Sequence, residues 1–321
     1  MHWSGKVPYE MGGMRLDAAL AKLIDGVSRS RLKTAIEAGN VLIDDEVMSI
    51  PKHILIGGEF LEVEWQEREE LTYLPQDIPL EIVYEDEGLL VINKPAGLVV
   101  HPGAGNQDGT LLNALLYHYP HLNKLPRAGI VHRLDKLTSG LLVIAKQAEV
   151  QDALTEMLKE HEVERLYDAI TVGQLVAGGT VEAGIARHNT DRTKMMVDDH
   201  RGREAITHYR VMERFRAHTH VRCQLETGRT HQIRVHLSHL GYPLLGDPEY
   251  GRRLSLPKGM TTEHADILRA FKRQALHAAE LFFVHPLTEE EIHCIAPLPE
   301  DMQQLLTALQ EDSEVHLDEF S

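Results

Sequence analysis

Asp135 stands among His132, Arg133 and Lys136 in residues 129–146, GIVHRLDKLTSGLLVIAK. Thr138, Ser139 and Gly140 follow, and then the apolar run Leu141 to Ala145, so the stretch reads as a loop and turn entering a strand. Nearby cations would keep the carboxylate ionised and fix its direction, the state required of a nucleophile or a base. An ordinary turn stapled by an Arg–Asp pair has the same composition, and this stretch alone does not separate the two.

Other residues sit where chemistry is usually done. Tyr167 lies on the strand pattern RLYDAITVG, facing opposite to its neighbours, and either packs in the core or lines a cleft. Val221, Cys223 and Leu225 alternate with polar residues as a strand, Gly228 breaks it, and a helix beginning near Arg229 places Ile233 and Leu237 on its buried side. Arg229 and Arg234 are thereby brought to a strand end, where they can bind phosphate or pair with a buried acid such as Asp135. Asn93, Lys94 and His101 also fall near strand ends, in positions equally suited to turns. Arg187, His188, Arg192, Lys194, Arg201 and Arg203 lie on two short strands joined by polar turns, forming either a basic patch or a solvated surface.

Metal and nucleotide chemistry find no support. His231, His236 and His239 do not make a HExxH helix, and no Cys or carboxylate completes ligand spacing. HPGAGNQDGT has Asp108 where a third glycine is needed, and no GxxxxGK[ST] occurs. The expectation is therefore no metal and no cofactor.

The elements that carry these residues fall into two domains. With 321 residues and 43% apolar content, the chain can bury a large and a small core. Residues 14–65 read as a small α/β module: Leu16, Ala19, Leu20 and Leu23 on one helix, a second helix with Ser28 or Ser30 as cap and Gly39 as stop, then short strands separated by Asp44-Asp45 and Gly57-Gly58. Arg29, Arg31 and Lys33 cluster at the second helix, and Lys52 can join them. Residues 66–79 read as a linker, 80–298 as the main domain, and 299–321 as a final helix, DMQQLLTALQ, with an acidic tail. The overall class is α+β, with a mixed, mostly antiparallel central sheet and flanking helices.

The formal charge of −16 weighs against a polyanionic partner, but its distribution matters more. Residues 187–234 hold 11 Lys or Arg against 6 Asp or Glu, whereas residues 300–321 hold 7 acids and no Lys or Arg. A local basic cleft in an acidic protein can still bind nucleic acid, with strong salt sensitivity. No secretory signal and no run of 18 apolar residues is present, so a cytoplasmic protein without membrane partners is expected. Cys223 and Cys294 are expected to be reduced and structural.

The wording of the motifs adds a resemblance. HRLDKLTSGLLVIAK, NKPAGLVVHP and GRTHQIRVHLSHLGYPLLGDPEYG closely resemble segments of the RNA pseudouridine synthases that modify ribosomal and transfer RNA. RLDAALAKLIDGVSRSRLKTAIEAGNVLIDDEV resembles a small RNA-binding module, first described in a ribosomal small-subunit protein, that often precedes this synthase domain. The resemblance implies that Asp135 attacks the anomeric carbon of a uridine or abstracts a ribose proton, that Tyr167 lies against the base and helps move its proton, and that Arg234 pairs with Asp135. It further implies that Arg133 takes the space of the flipped base, with His132, Arg229, Lys94 and Leu276 in or around the cleft. RHNTDRTKMMV, ITHYRVMERF and GDPEYG look most like the subgroup acting on large-subunit RNA, which implies neighbouring uridines in helix 69 of 23S ribosomal RNA as substrate. A protein acting as a monomer is expected. Another ribosomal or transfer-RNA site is the nearest alternative. Two readings from other classes are a non-catalytic RNA-binding assembly protein and an Asp-based hydrolase, which would need a metal cluster or a second paired carboxylate.

Overall fold

Apolar residues spaced three and four apart build the first of two units. The computed structural model describes residues 1–24, 27–65, 73–103, 105–254 and 256–316, the Ser30 side chain excepted. Met1–Thr72 form one unit and Tyr73–Ser321 the other. The first runs β1 (His2–Lys6), α1 (Leu16–Leu23), α2 (Arg29–Glu37), β2 (Val41–Ile43), β3 (Glu46–Val47) and β4 (Phe60–Glu64). Leu16 and Leu20 of α1 and Leu32 and Ile36 of α2 pack on Leu61 and Val63 of β4, as amphipathic stripes must. Ser28 caps α2 by accepting the Arg31 N–H at 3.4 Å, and Gly39 leaves the helix at a φ of 76°. Asp44 and Asp45 both take positive φ in the β2–β3 turn, the shape that Asn-Gly ordinarily supplies.

This unit begins earlier than residue 14. β1 pairs antiparallel with β4 at the edge of the sheet order β1-β4-β2-β3, and the Met1 ammonium donates to the Trp65 carbonyl at 2.7 Å. An edge strand is held chiefly by backbone bonds, so its side chains leave little hydrophobic pattern to read.

The second unit contains β5 (Ile82–Glu85), β6 (Leu89–Lys94), α3 (Leu111–His118), β7 (Ser139–Ala145), α4 (Ala148–Lys159), β8 (Glu164–Val172), β9 (Gly179–Glu182), β10 (Ile185–Arg187), β11 (Met195–Val197), β12 (Ile206–Arg214), β13 (His218–Leu225), α5 (Gln232–His239), α6 (Thr262–Ala270), β14 (Leu276–Val284), β15 (Glu291–Ile295) and α7 (Glu300–Val315). Its main sheet has nine strands in the order β5-β6-β7-β14-β8-β13-β12-β9, with β15 also pairing β14. All of these pairs are antiparallel except β7 with β14, which gives the mixed, mostly antiparallel sheet expected from the sequence. β10 and β11 form a separate hairpin.

Alternation along the strands sends residues to two cores. Leu90, Leu142, Tyr167, Cys223 and Leu276 face α3 and α5. Leu89, Leu141 and Val143 face α4 on the other side, where Ile170 meets α6 and α7. Both cysteines are buried and free. At the seam, Ser139 and Gly140 pair with His277 and Ala278. Gly140 has a φ of 114°, and a Cβ there would lie 2.2 Å from the Ala278 carbonyl oxygen, so this approach of two strands requires glycine.

Three boundaries differ from the sequence reading. Residues 66–72 of the expected linker lie outside the described residues, but 73–79 belong to the second unit as a strap. Thr110 and Asn113 cap α3 reciprocally; the Asn113 side chain donates to the Leu74 carbonyl at 2.9 Å, Gly109 donates to the Gln76 side chain at 2.7 Å, and His118 bonds the Ile78 carbonyl at 2.9 Å. Proline and charge mark this stretch as non-helical, but extended backbone can still be tied down by side chains. α6 has no counterpart in the sequence reading. α7 continues past residue 310 to Val315, because Leu309 and Asp312 are buried and Asp312 accepts from Arg216 at 3.3 Å; the tail at 317–321 lies outside the described residues.

A chain beginning at Tyr73 is expected to unfold in one cooperative transition, whereas one beginning at residue 80 loses the strap and on the order of 2–4 kcal/mol, at about 1 kcal/mol per hydrogen bond. Urea midpoints of the two truncations measure this, and equal midpoints would leave the strap without energetic weight.

Candidate active site

The loop carrying Asp135 is clamped by hydrogen bonds to β6 and the turn after it, to β7, to residues 273–274 and to β14. His132 Nε2 accepts the Val143 N–H at 3.1 Å. Lys94 Nζ donates to the carbonyls of Pro95 at 2.9 Å, Leu98 at 3.0 Å and Lys136 at 3.3 Å, and the Gly97 N–H also reaches the Lys136 carbonyl at 2.7 Å. Arg273 Nη1 donates to the Leu137 carbonyl at 3.3 Å. Gln274 Nε2 donates to Thr138 Oγ1 at 3.0 Å, and Ser139 Oγ bonds His277 Nδ1 at 2.9 Å. Such a scaffold leaves the carboxylate few positions to occupy.

Two of the residues expected in or around the cleft turn their polar atoms to the protein backbone. Lys94 is fully buried, because three backbone carbonyls converge on the end of its side chain. Burial pulls its pKa down to about 7, with the charge of Asp135 opposing. His132 spends its ring nitrogen on β7. Burial, aided by the Arg165 cation, lowers its pKa to about 3, so it is neutral and accepts.

Asp135 takes its counter-charge from 99 residues away. Arg234 Nη1 donates to Asp135 Oδ2 at 3.0 Å, while among the described residues neither Arg133 nor Lys136, both exposed, forms an ion pair with it. The same guanidinium donates through Nε and Nη2 to Asp247 at 2.7 and 2.9 Å and through Nη2 to Glu249 at 2.9 Å. Asp247 Oδ1 also accepts the N–H groups of Glu249 at 2.8 Å and Tyr250 at 3.0 Å. Burial works against both ions. The Arg234 bonds and nearby N–H groups nevertheless hold the Asp247 carboxyl below its ordinary range, and the surrounding carboxylates raise the pKa of Arg234. His231 completes the ring of polar groups, with Nε2 at 3.8 Å from Asp135 Oδ1.

The sheet supplies an apolar floor. Tyr167 on β8 lies between Ala278 of β14 and Cys223 of β13, and it shares one cluster with Leu276. Its pKa is raised by burial, with Arg165 opposing and the charge of Asp135 adding, so its phenol is within electrostatic reach of the carboxylate. The hydroxyl has no hydrogen-bond partner among the described residues, which answers the choice between core and cleft with something of each. A rigid carboxylate beside a phenol and an aliphatic wall can attack or deprotonate a sugar and hold a flat ring.

The remaining candidates divide. Arg229 Nε donates to the Glu204 carbonyl at 2.8 Å, a backbone contact. In the β10–β11 hairpin, Arg187 Nη1 reaches the Arg192 carbonyl at 3.0 Å and Lys194 lies 3.9 Å from Asp191, while the Arg192 side chain is exposed. His188 Nδ1 accepts the Asp191 N–H at 3.2 Å, so that nitrogen shapes the loop and the ring proton stays on Nε2. In the first unit, Arg29 joins Arg15 on the buried Asp17, Lys33 lies 3.5 Å from Glu37, Arg31 is half-buried and Lys52 is exposed. Asp247, Glu249, His231, Arg273 and Gln274 were missed as site residues; the first two stood in GDPEYG, a Gly- and Pro-bounded acidic turn that could have been matched to an unpaired arginine. Among the described residues, no group of three or more His, Cys, Asp or Glu side chains is arranged to hold a metal ion.

Comparison with known proteins gives concordant findings. A family profile described as RNA pseudouridylate synthase matches residues 88–239. The chain is 55% identical over 307 residues to a protein of Xanthomonas campestris pv. campestris named ribosomal large subunit pseudouridine synthase D, covering 96% of this chain and 92% of that one. Its identity to the protein of the same name from Pseudomonas aeruginosa is 53%, over 97% of each chain. Among solved structures, human RNA pseudouridylate synthase domain containing 4 is similar with a TM-score of 0.55 and 27% identity, covering 72% of this chain and 93% of that one.

Arg234→Ala strands three carboxylates around a buried vacancy and is expected to cost about 3–5 kcal/mol, read as a lowered melting temperature together with lost turnover. The acid limb of stability is a separate expectation. His132 and His218, whose pKa burial lowers to about 4, are both depressed below the unfolded value, so the unfolded chain binds protons first. Their contribution is complete above about pH 6.5 and is lost as pH falls toward 4 and 3. Neither His218 ring nitrogen has a partner among the described residues, so His218→Phe should stabilise the protein at pH 5 more than at pH 8 in parallel urea titrations.

Proposed function

The chain belongs to the RNA pseudouridine synthase family, and we propose that its substrate is large-subunit ribosomal RNA, at neighbouring uridines in the helix 69 loop of the 23S molecule. The observation that carries the catalytic assignment is the Arg234-aligned Asp135 beside Tyr167 and Leu276. A loop uridine is the least costly to extrude, and Arg133, exposed and without an ion pair among the described residues, takes the space it vacates. Leu276 and the Tyr167 ring receive the base.

Asp135 then either attacks the anomeric carbon or removes a ribose proton to give a glycal. In both routes the bond from nitrogen 1 to the sugar breaks, uracil turns, and carbon 5 bonds to the anomeric carbon as the Asp135 ester is displaced or, in the glycal route, as Asp135 returns the ribose proton. The carbon-5 proton leaves, with the Tyr167 oxygen placed to assist, and nitrogen 1 ends protonated. The rearrangement is internal, so the proposal includes neither metal nor organic cofactor. Affinity comes from phosphate contacts by Arg192 and Arg187 of the hairpin and by Arg31 and Lys52 of the small module. The protein is taken to act as a monomer in the cytoplasm. Support for the large-subunit substrate comes from relatives, matched over more than nine-tenths of their length, whose names specify that subunit.

Carbodiimide sequencing of 23S RNA from a strain lacking the gene is expected to show unmodified uridines in the helix 69 loop. The wild-type gene restores the marks, and Asp135→Asn, which keeps size and removes charge, does not. Helix 69 marks that persist while a transfer-RNA anticodon-stem uridine loses its own would replace this substrate with another. Turnover by Asp135→Asn within tenfold of wild type would overturn the role of the carboxylate.

A further inference from the structure

We propose that Tyr250 and His231 form a positioning relay that aims a second N–H at Asp135 and ties the carboxylate to the basic hairpin β10–β11. The relay starts on β11, where the Met195 N–H donates to Tyr250 Oη at 2.8 Å. That bond occupies an acceptor site of the phenol and leaves its proton to be donated. His231 Nδ1 lies 2.8 Å from the same oxygen and receives it. A neutral imidazole that accepts at Nδ1 carries its own proton on Nε2, and Nε2 is the atom that faces Asp135 Oδ1 at 3.8 Å. Arg234 already covers Oδ2, so the relay addresses the other oxygen.

The groups around the imidazole bear on its protonation. Asp135 and Glu249, the latter 3.4 Å from Nδ1, favour a charged ring, as does Asp247 at longer range; Arg234 opposes them, and burial, the largest influence, lowers its pKa. His231 is held at a φ of 57°, a left-handed conformation uncommon for a residue with a side chain and found where surroundings enforce it. The Tyr250 ring packs edge-on against it at 5.6 Å and lies under the Arg234 guanidinium at 4.9 Å. Met195 pairs with Arg187 across the hairpin and packs with Tyr250 and Val235 of α5. Phosphates that engage the hairpin therefore act on the strand that anchors the phenol. The 3.8 Å separation is longer than a hydrogen bond, as such contacts often are before substrate binds, and closes when the hairpin is engaged.

This rests on Asp135 as the reacting carboxylate, so Asp135→Asn is run alongside. Tyr250→Phe keeps both ring contacts and removes only the hydroxyl, and His231→Asn keeps a residue tolerant of left-handed backbone while shortening the reach to Asp135. Each is expected to lower single-turnover rate about tenfold, the worth of one charge-assisted hydrogen bond, with RNA Kd unchanged. The double variant should be no slower than either single one. In nitrogen-15 spectra of histidine-labelled protein, Tyr250→Phe should move the His231 proton from Nε2 toward Nδ1, where Glu249 accepts it. Retention of the Nε2 proton with a rate within twofold of wild type would overturn the relay, as would a loss confined to Kd. An active Asp135→Asn would remove the catalytic assignment instead, and the tautomer measured without RNA would still decide whether the hydroxyl sets the ring.

Discussion

One buried guanidinium answers three carboxylates, and the direction of Asp135 depends on how its donors are divided. Asp247 takes Nε and Nη2, which fixes the guanidinium plane by a forked contact. With that plane set, Nη1 points at Asp135 Oδ2, while Glu249 shares Nη2. A lysine would give a point charge without this directional constraint. The desolvation cost of four buried or half-buried charges is tolerable only because each keeps a partner, so α5, the turn after it and the Asp135 loop are constrained together.

The pairing of Asp135 with Arg234 was legible in the sequence by resemblance, whereas residue spacing supported only an acid and two arginines at separate strand ends. Element types were legible where the pattern was strong. Tyr167 could be set on a strand, and α2 and α5 follow from helical spacing and a cap or a breaker. What pattern reading could not supply was the direction of long polar side chains. Lys94 stands at a strand end like an exposed residue, yet its fate is set by three carbonyls, two from its own turn and one from residue 136. His132 is similar, since Arg133 follows it in sequence and its partner is a strand N–H eleven residues on. The strap at 73–79 and β1 were missed because backbone bonds hold them more than apolar side chains do.

The charge count also changes meaning with structure. Of the 11 basic residues in 187–234, Arg222 is bound to Asp168 and Glu280, Arg201 to Asp198, and Arg234 to its three acids. These are structural cations that add little attraction beyond the Debye length. Exposed Arg133, Lys136 and Arg192 are spread through the second unit, with Lys52 in the first. In a protein of net charge −16, selectivity for RNA must then rest on where a few cations stand and on the shape they frame.

The seam between β7 and β14 joins distant parts of the chain. β5, β6 and β7 are neighbours in sequence and can pair as soon as they exist, but Gly140 meets Ala278, and Thr138 meets Gln274 across 136 residues. Loop closure over such distances is slow relative to local pairing. While the chain emerges from the ribosome, Asp135 is therefore made long before Arg234, Asp247 and Gln274 can hold it. A nascent synthase that has exposed its small module and first strands has no assembled site, and its chemistry begins only when the last third of the polypeptide has been made.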